Sequence, residues 1–498
     1  MKKLLVAVSL LSAAAAFAAD LKVGFSRVDI TPPLGSFMPG YYQIRRATKV
    51  LDPLQINMVA FSDGKTTALV AQYDTEALSD AVADQMRDAI VKATGVSRDA
   101  ILLHASHTHD GGYLAQKTNH GSNVVGDKRA TEVDLLYVQM CVSRSADAAV
   151  NAIADLKPAK LSCGRSVAKR ISFGRRYLMK SGKVQTNPGT NNPDIVRPVG
   201  NPPDEQVQVL RIDREGGKTI AVINFQTHPD VVGSTTLTAD WPGLTRAVFE
   251  AATFGETLAI VLNGTQGDVN HCNVLPKPGE MNGLKRDFDA VDRGYAHAKH
   301  MANVICAAAL NVWEKCAALE AGDVRFGVEH VKVPAQKGDV DPKKDLAWAN
   351  EVWTMHEQAE KDGTVATPND PVTKKYGWAD MELTTEVARA GRIRNMSKHA
   401  DFHDLPLVTV TIGRSVAFGG FPGEPFNDIG QQIKAKSPFA GATGMTILSC
   451  LTNGSRGYFP FSDSYKEGGY ESATSPFGPT VADDLIAGEL KLLNSLYK

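Results

Sequence analysis

The sequence ILLHASHTHDGGY, residues 101–113, joins an apolar run of strand type to three histidines and an Asp-Gly-Gly turn. His107 and His109 are two residues apart, so their rings point to the same side wherever the backbone stays extended. Imidazole is the commonest metal-ligand side chain, and two imidazoles on one face can share one ion. For an H-x-H pair alone, a hydrogen-bonded histidine cluster is the better explanation. The surrounding sequence therefore has to decide between a metal site and a structural cluster.

A strand–helix–strand pattern leads into this stretch. Residues 57–73 contain two strand-like runs joined by a turn, and Asp74 follows at once. Ser79 can cap the next helix, and Gly95 can end it. The strand that leads to His107 comes next, and units of this kind make parallel neighbours. Asp74 and His107 are therefore predicted at the same, carboxyl, edge of one sheet.

The same pattern returns in the middle of the chain. Residues 219–226 form a clear strand, and His228 follows it. Asp240 then opens a predicted helix, and residues 258–262 form the next strand. This strand ends in a glycine-rich polar loop that contains Asp268. The pattern again predicts polar side chains at the carboxyl ends of strands.

A third instance lies near the end of the chain. Residues 407–420 predict a hairpin, Glu424 stands at the start of a predicted helix, and residues 445–451 predict the following strand. Three strand ends thus deliver His107, His228 and Glu424. Two histidines and one carboxylate are a common catalytic zinc set, with one position left open.

Each of these residues also has an ordinary structural explanation. A histidine before a proline, such as His228, is more often a satisfied loop residue than a ligand. The helix dipole alone favours Glu424 at a helix start, and Asp240 can be a helix cap. Their shared placement at the carboxyl ends of strands, where open α/β sheets hold their sites, is not explained in this way.

Composition bounds the function. The 498 residues can bury one large core or two ordinary ones, and the hydrophobic content of 43% is that of a soluble globular protein. The formal net charge is −1, and the chain has no long run of Lys or Arg. This argues against a nucleic-acid or anionic-membrane partner. The sequence leaves the oligomeric state open.

The first 19 residues read as a signal peptide. A basic start at Lys2 and Lys3, a short apolar stretch and small residues up to Ala19 are typical of export signals. The apolar stretch is too short to span a bilayer well, and no other run has membrane-spanning length. The protein is therefore expected to be exported, periplasmic or secreted, with no transmembrane segment.

Six cysteines in so long a chain are not a disulfide framework, and there is no CxxC zinc motif. Cys306 and Cys316 lie on one predicted helix, too far apart to pair. Pairing among the other four cysteines stays open.

Residues 20–498 are predicted to form a single domain. Residues 335–405 are charged and helical in pieces, which indicates a helical arm and a possible lid. Trp348, Trp353 and Met355 are expected to pack this arm on the body. A long amphipathic helix is predicted before this arm, and two of its histidines are expected at the surface: His297 and His300.

Six short motifs lie in order along nearly the whole mature chain. They are FSRVDITPP (25–33), SHTHDGGY (106–113), THP (227–229), TQGDVNHC (265–272), PGEP (422–425) and the Tyr-rich segment 453–475. Together they resemble the neutral ceramidase family of zinc-dependent amide hydrolases, whose signatures include G-x-x-D-I-T-P-P and T-H-T-H-S-G-P-G-G-Y.

The resemblance implies an α/β fold, a four-layer α-β-β-α sandwich with mixed sheets and a metal site at the carboxyl ends of strands. It implies one Zn²⁺ per chain and a small-molecule or lipid-like N-acyl substrate. The implied zinc ligands are His107, His228, Glu424 and Tyr458. The implied groups that hold the scissile amide are His109, Arg175 and Tyr470. Residues expected to support the site from around it are Asp74, Asp110, Asp240 and Asp268.

The sequence departs from the family pattern in three places. The family's nucleophilic serine aligns with Asn270, which cannot attack a carbonyl. The S-G-P-G-G run after the histidines has become Asp110-Gly-Gly, and the C-terminal immunoglobulin-like domain is expected to be missing. Thr265 and Cys272 are nearby substitutes for the serine, but zinc-bound hydroxide is expected to attack directly, with Asn270 bonding the carbonyl.

The leading expectation is an exported zinc-dependent hydrolase of linear amide bonds. Two alternatives stay open. One is a zinc hydrolase that acts on an ester or a glycan-derived substrate. The other is a binding protein that kept the zinc scaffold and lost the chemistry with the serine.

Overall fold

The computed structural model describes residues 21–41, 45–114, 130–277, 293–337, 341, 344–395, 401–441 and 443–498, so the predicted signal peptide lies outside its described residues. The strands are β1 (Lys22–Asp29), β2 (Phe37–Met38), β3 (Arg45–Arg46), β4 (Lys49–Val50), β5 (Gln55–Ser62), β6 (Thr67–Tyr73), β7 (Ile101–Ala105), β8 (Lys157–Val167), β9 (Phe173–Gly174), β10 (Arg176–Met179), β11 (Val184–Thr186), β12 (Ile195–Pro198), β13 (Gln206–Arg214), β14 (Thr219–Phe225), β15 (Thr236–Leu237), β16 (Thr257–Asn263), β17 (Val269–Asn270), β18 (Ala317–Leu319), β19 (Val324–Pro334), β20 (Phe402–Ile412), β21 (Val416–Gly420), β22 (Glu424–Pro425), β23 (Met445–Ser449) and β24 (Tyr458–Phe459). The helices are α1 (Asp80–Thr94), α2 (Glu132–Ala154), α3 (Asp240–Ala252), α4 (Tyr295–Trp313), α5 (Lys344–Asp362), α6 (Pro371–Tyr376), α7 (Asp380–Asn395), α8 (Asn427–Lys436), α9 (Ser462–Glu467), α10 (Tyr470–Thr474) and α11 (Val481–Leu496). The fold is mixed α/β, as predicted.

A nine-stranded sheet contains the first two of the three predicted strand–helix–strand units. Its order is β16-β14-β13-β8-β1-β5-β6-β7, with β18 paired to β8. Strands β6 and β7 are parallel, as are β14 and β16, so both units are confirmed. The Ser79 hydroxyl accepts a hydrogen bond from the Val82 N–H at 3.3 Å, and Gly95 ends α1 with a φ of 73°. These local signals place α1 between β6 and β7 as the sequence predicts.

The two end strands of this sheet are joined through one side chain, His104 of β7. Its Nδ1 donates to the Cys450 carbonyl oxygen at 2.6 Å, and its Nε2 accepts from the Asn263 N–H of β16 at 3.0 Å. Burial lowers the pKa of His104 to about 4, so the ring is neutral and can accept at Nε2. We call this arrangement the His104 clasp. It brings the ends of β7, β16 and β23 to one place.

A second sheet packs beside the first. It has four strands in the order β19-β20-β21-β23, with β21 and β23 parallel. Phe61 of β5 and Phe418 of β21 pack with ring centroids 5.4 Å apart, within a hydrophobic core that includes residues of both sheets. Helices α8 and α11 pack with the buried side chains of the second sheet. The four-layer order stays a prediction.

Glu424 does not lie at a helix start, contrary to the sequence prediction. Helix α8 begins at Asn427, and Glu424 lies in β22, which pairs in parallel with β24 so that Glu424 is in register with Tyr458. The Glu424 N–H donates to the Gly457 carbonyl oxygen at 2.9 Å. This long-range pairing holds the backbone extended and overrides the local helix signal.

The helical arm is an insertion between two paired strands, β19 and β20, so residues 402–405 belong to a strand. Trp348, Trp353 and Met355 border a hydrophobic cluster made by α5, α6 and α7, so the predicted packing of these three side chains on the body is wrong. The arm contacts the body through α7, where Arg392 Nε donates to the Ala473 carbonyl oxygen at 2.9 Å. Its role as a lid stays a prediction.

Two smaller expectations are wrong. His297 is only 8% exposed, because its face of α4 packs against the core, while His300 is half-buried. Cys316 lies beyond the end of α4 at Trp313, so it does not share a helix with Cys306. All six cysteines are outside disulfides. Within the described residues, helices that are both long and apolar enough to span a membrane are absent.

Candidate metal centre

Three chain segments bring His107, His228 and Glu424 together. The two histidines follow β7 and β14, and Glu424 lies in β22. The Nε2 atoms of His107 and His228 are 3.0 Å apart. Oε2 of Glu424 lies 3.4 Å from the first and 3.5 Å from the second. The three residues are 2%, 3% and 7% exposed, so the cluster is shielded from bulk solvent.

His107 has an unusual backbone. Strand β7 ends at Ala105, and the φ of His107 is 73°, in the left-handed region. Its N–H donates to the Thr75 carbonyl oxygen at 2.9 Å, which stabilises this conformation. The rings of His107 and His109 therefore meet through this turn, at 4.7 Å between centroids, and not through strand alternation as predicted. Strained backbone of this kind concentrates at functional sites.

The remaining ring nitrogens define the tautomers of the pair. His107 Nδ1 lies 2.7 Å from the Glu76 carbonyl oxygen, and His228 Nδ1 lies 3.2 Å from that of Gln266. Because a carbonyl only accepts, each Nδ1 carries the hydrogen, and each Nε2 of a neutral ring presents a lone pair. Two lone pairs and the Glu424 carboxylate thus face one another. Such a set is stabilised by a proton or by a cation.

The electrostatics favour a proton on His107 over one on His228. Burial lowers the pKa of His107, but Glu424 and Glu76 outweigh this effect, so its pKa is raised overall. The pKa of His228 is held well below its usual value by burial and then by Arg175 and by His107. Metal ligands must be deprotonated, so a bound cation would replace the proton on His107.

His109 lies close enough to be a further ligand. Its Nε2 is 3.2 Å from that of His107, and the ligating atoms of His107, His109 and His228 all lie within 4.8 Å of one another. Its Nδ1 is buried and has no hydrogen-bond partner among the described residues. The Tyr41 and His109 rings form a T-shaped pair, with 5.4 Å between their centroids. Burial, then the charges of neighbouring groups, lower the pKa of His109 well below its usual value.

Tyr458 and Arg175 lie beside Glu424. The Arg175 guanidinium stacks on the Tyr458 ring at 5.3 Å from its centroid. Burial, then the Glu424 charge, raise the pKa of Tyr458 well above its usual value. Arg175 donates from Nε to Glu471 at 2.7 Å and from Nη2 to the Gly267 carbonyl oxygen at 2.8 Å, while Nη1 lies 3.3 Å from the His228 ring nitrogens. Arg175 therefore supports His228 and the loop at Gly267.

Tyr470 is the first residue of α10 and packs edge-on against Tyr458, with centroids 5.5 Å apart. Tyr470 therefore lies beside Tyr458. Its contact with a substrate stays a prediction.

Asn270 and Thr265 both make structural hydrogen bonds. Asn270 Nδ2 donates to Asn187 at 2.8 Å, and its Oδ1 accepts from the Cys272 N–H at 3.0 Å. The Thr265 hydroxyl donates to the Asn427 carbonyl oxygen at 3.2 Å. Because Thr265 is also buried and tightly packed against Gly430, it is poorly placed to act as a nucleophile.

Asp74 and Asp110 are each paired with a buried arginine. Asp74 makes a two-pronged ion pair with Arg246, at 2.6 and 2.9 Å. Asp110 bonds Arg45 at 3.0 Å, and Arg45 in turn donates to the His109 carbonyl oxygen. Asp110 thus supports His109 through Arg45, whereas Asp74 anchors α3 to the sheet.

Asp240 and Asp268 bind backbone N–H groups of the loops around the cluster. Asp240 accepts from Val231 N–H at 2.9 Å, and Asp268 accepts from Asn427 N–H at 2.7 Å. Burial raises the pKa of Asp240 to about 7 and that of Asp268 to about 6. Asp240 is the first residue of α3, with a φ of 52°, and the cap position belongs to Ala239. Both aspartates hold the loops that present His228 and Glu424.

Sequence analysis missed three residues that position this cluster. Glu471 is fully buried and bonds Arg175 and Thr186, and Gln266 donates to Glu424 Oε2 at 3.3 Å. Glu76 fixes His107 through its backbone carbonyl. Glu471 and Gln266 lie inside motifs that resemble the family, so the motifs could have indicated them. Glu76 acts through its backbone carbonyl, and a backbone contact cannot be predicted from the pattern of side chains.

Comparison with known proteins identifies the fold. Scans against protein-family models and curated proteins gave no significant match. Among solved structures, the neutral ceramidase of Pseudomonas aeruginosa aligns with a TM-score of 0.67 at 16% identity, over 96% of this chain and 75% of the other. A ceramidase complexed with C2 aligns with a TM-score of 0.63 at 15% identity, over the same shares of the two chains. The chain therefore has a neutral-ceramidase-like fold.

Proposed function

We propose that this protein is a zinc-dependent hydrolase that cleaves a linear amide bond in an N-acyl, lipid-like substrate. One observation carries the proposal. His107 and His228 each place Nδ1 against a backbone carbonyl oxygen and turn Nε2 toward each other and toward Glu424, within a buried cluster. The likeness of the fold to ceramidase structures supports an amide as the scissile group.

The residues present fit zinc. His107, His228 and Glu424 would hold it, with Tyr458 as the fourth ligand, and a nitrogen and oxygen set of this kind suits a catalytic zinc site. Zinc, when bound, supplies a Lewis acid that polarises the scissile carbonyl and lowers the pKa of a water molecule. Gln266 and Glu76 would hold Glu424 and His107 in their ligating orientations, as hydrogen-bonded neighbours of metal ligands commonly do.

The attacking group is proposed to be water. The Asn270 amide cannot serve as a nucleophile, and the hydroxyl of Thr265 is committed to the Asn427 backbone. His109 lies beside His107, and Tyr470 lies beside Tyr458. These two side chains are the groups proposed to bond the developing oxyanion or to protonate the leaving amine. Arg175 is proposed to support His228 and not to bind a substrate group, because its Nε and Nη2 already donate to Glu471 and to the Gly267 carbonyl oxygen.

Metal analysis tests the ligand set. The purified protein should contain about one zinc per chain. His107→Ala and His228→Ala should each empty the site, because each removes a Nε2 donor, whereas His330→Ala should not, because His330 is 64% exposed on β19. Full zinc in both site variants would show that the ligands lie elsewhere.

A substrate panel tests the reaction. N-acyl amides, esters and glycosides are compared with and without a chelator, and chelator-sensitive turnover is expected on amides. Turnover on esters or glycosides alone would assign another substrate class. Zinc-loaded protein that turns over no member of the panel would favour the binding-protein alternative, which the loss of the serine at position 270 suggests.

We also propose export to the periplasm or medium. The basic start, apolar stretch and small residues of the first 19 positions support it. The N-terminus of the protein from its host should lie near Ala19 or Asp20, and cytoplasmic protein that still begins at Met1 would contradict export.

A further inference from the structure

A polar cavity lies between the first sheet and helix α8. Its volume is about 300 Å³, and its wall is made by side chains of β8, β13, α8 and β23. Concave sites of this size are large enough for a small molecule. Among the described residues that line it, none belongs to the candidate metal centre. The cavity is therefore separate from the site of the proposed reaction.

Gln208 brings a buried hydrogen-bond acceptor to this cavity. It lies directly opposite Arg165 in the antiparallel pairing of β13 with β8, so the two side chains share one face of the sheet. Gln208 is only 2% exposed, and its Oε1 has no hydrogen-bond partner among the described residues. A buried amide oxygen without a partner is costly and rare. A ligand that carries a hydrogen-bond donor would supply the partner.

Arg165 gives the wall an uncompensated positive charge. The other cation of the cavity, Lys434, places Nζ 3.1 Å from Oδ2 of Asp204, so these two charges balance. Arg165 donates from Nη2 to the Gly444 carbonyl oxygen, and it has no carboxylate partner in the described part of the chain. The cavity therefore favours an anion, and the planar guanidinium matches the geometry of a carboxylate.

The rest of the wall favours a ligand rich in hydroxyl groups. Gln431 uses its Nε2 to donate to the Pro202 carbonyl oxygen and to Asn427 Oδ1, both at 3.0 Å, so its Oε1 is left to accept. Gln206 and Thr446 add a further amide and a hydroxyl. The remaining described wall residues are alanine and glycine, so large apolar side chains that would bind a lipid chain are absent from this part of the wall.

We propose that this cavity is a binding site for a small carboxylate that carries several hydroxyl groups. Arg165 binds the carboxylate, and Gln208 and Gln431 accept hydrogen bonds from the hydroxyls. The site is distinct from the zinc-dependent reaction, and its ligand differs in chemistry from the lipid-like substrate proposed there.

Calorimetric titration of the full-length protein with three probes of equal chain length tests the proposal. The probes are D-gluconate, sorbitol, which lacks the carboxylate, and hexanoate, which lacks the hydroxyls. Gluconate should bind about tenfold or more tightly than either of the others, because hydrogen bonds to a charged group contribute at least that much. No measurable binding of gluconate, or equal binding of gluconate and either control probe, overturns the proposal.

Two variants locate the binding. Arg165→Met should weaken gluconate binding about tenfold and leave sorbitol binding unchanged, whereas Gln208→Met should weaken gluconate binding severalfold. Arg197→Met, at an exposed arginine outside the cavity, should have no effect. Full gluconate affinity in both cavity variants overturns the proposal. If Arg165→Met fails to fold, Gln208→Met decides alone, because it removes only an acceptor that has no partner among the described residues.

His107→Ala separates the cavity from the metal centre. Gluconate can chelate metal ions, so it could bind zinc instead of the cavity. Because the cavity and the metal centre are lined by different residues, gluconate affinity should be retained in His107→Ala. Loss of binding in this variant would assign the ligand to the metal centre and overturn the proposal.

Discussion

Glu489 is a buried carboxyl group without a positive partner among the described residues, and it should make the protein less stable as the pH rises. It is fully buried in α11, against the second sheet. Oε1 accepts from the Thr409 hydroxyl at 2.8 Å, and Oε2 has no partner in the described part of the chain. A side chain at Gly419 would clash with this carboxyl, so the sheet leaves room for it there.

The size of the effect follows from the pKa of this group. Burial raises the pKa of Glu489 from 4.5 to about 7. One pKa unit corresponds to about 1.36 kcal/mol. Ionisation of Glu489 should therefore lower the free energy of unfolding by about 3 kcal/mol. Between these two pKa values the folded state binds more protons, so the free energy of unfolding falls as the pH rises. The loss begins near pH 4.5 and is complete above about pH 7.

Glu489→Gln removes the ionisation and keeps the shape of the side chain. Urea unfolding of the wild type and the variant is compared at pH 5 and pH 8.5. The variant should be more stable by about 3 kcal/mol at the higher pH, while the two should differ little at the lower. Asp240 and Asp268, whose pKa values are also raised by burial, are present in both proteins and cancel in the difference. A difference independent of pH, or a less stable variant at pH 8.5, would refute the reasoning.

Two further predictions concern residues that anchor helices to the rest of the protein. Asp74→Asn should destabilise the protein by about 3 kcal/mol or more in urea unfolding, because it leaves the buried Arg246 without its carboxylate; an effect below about 1 kcal/mol would contradict the pairing. Arg392→Ala should increase amide hydrogen exchange in residues 470–474, because Arg392 bonds the Ala473 carbonyl, and Arg392→Lys should restore part of the protection. Equal exchange in wild type and the Ala variant would show that the arm does not order α10.

Sequence reasoning succeeded where the signals are local. Helix α1 has its cap at Ser79 and its end at Gly95, and the apolar runs on either side of it are the strands β6 and β7. The same logic placed His107 and His228 at strand ends, and the structure brings them together. Their role as ligands stays a prediction.

It failed where the deciding contacts are distant along the chain. Glu424 looked like a helix start because its own neighbourhood contains no sign of the pairing with Tyr458. Trp353 was expected on the body because a helical pattern shows which face is apolar but not which surface that face meets. For the same reason, the pattern of α4 could not show that His297 faces the core.

The His104 clasp has a consequence for how the protein is made. Leu103 N–H donates to the Asn453 side chain at 2.9 Å, and Cys450 N–H donates to the Asn263 carbonyl at 3.1 Å, so one late segment covers the edges of both β7 and β16. Until this segment is in place, the hydrogen bonds that it makes to these two edges are missing. Uncovered strand edges pair with other chains. The last tenth of the protein thus protects strands synthesised long before it, and a chain released too early would be prone to aggregate.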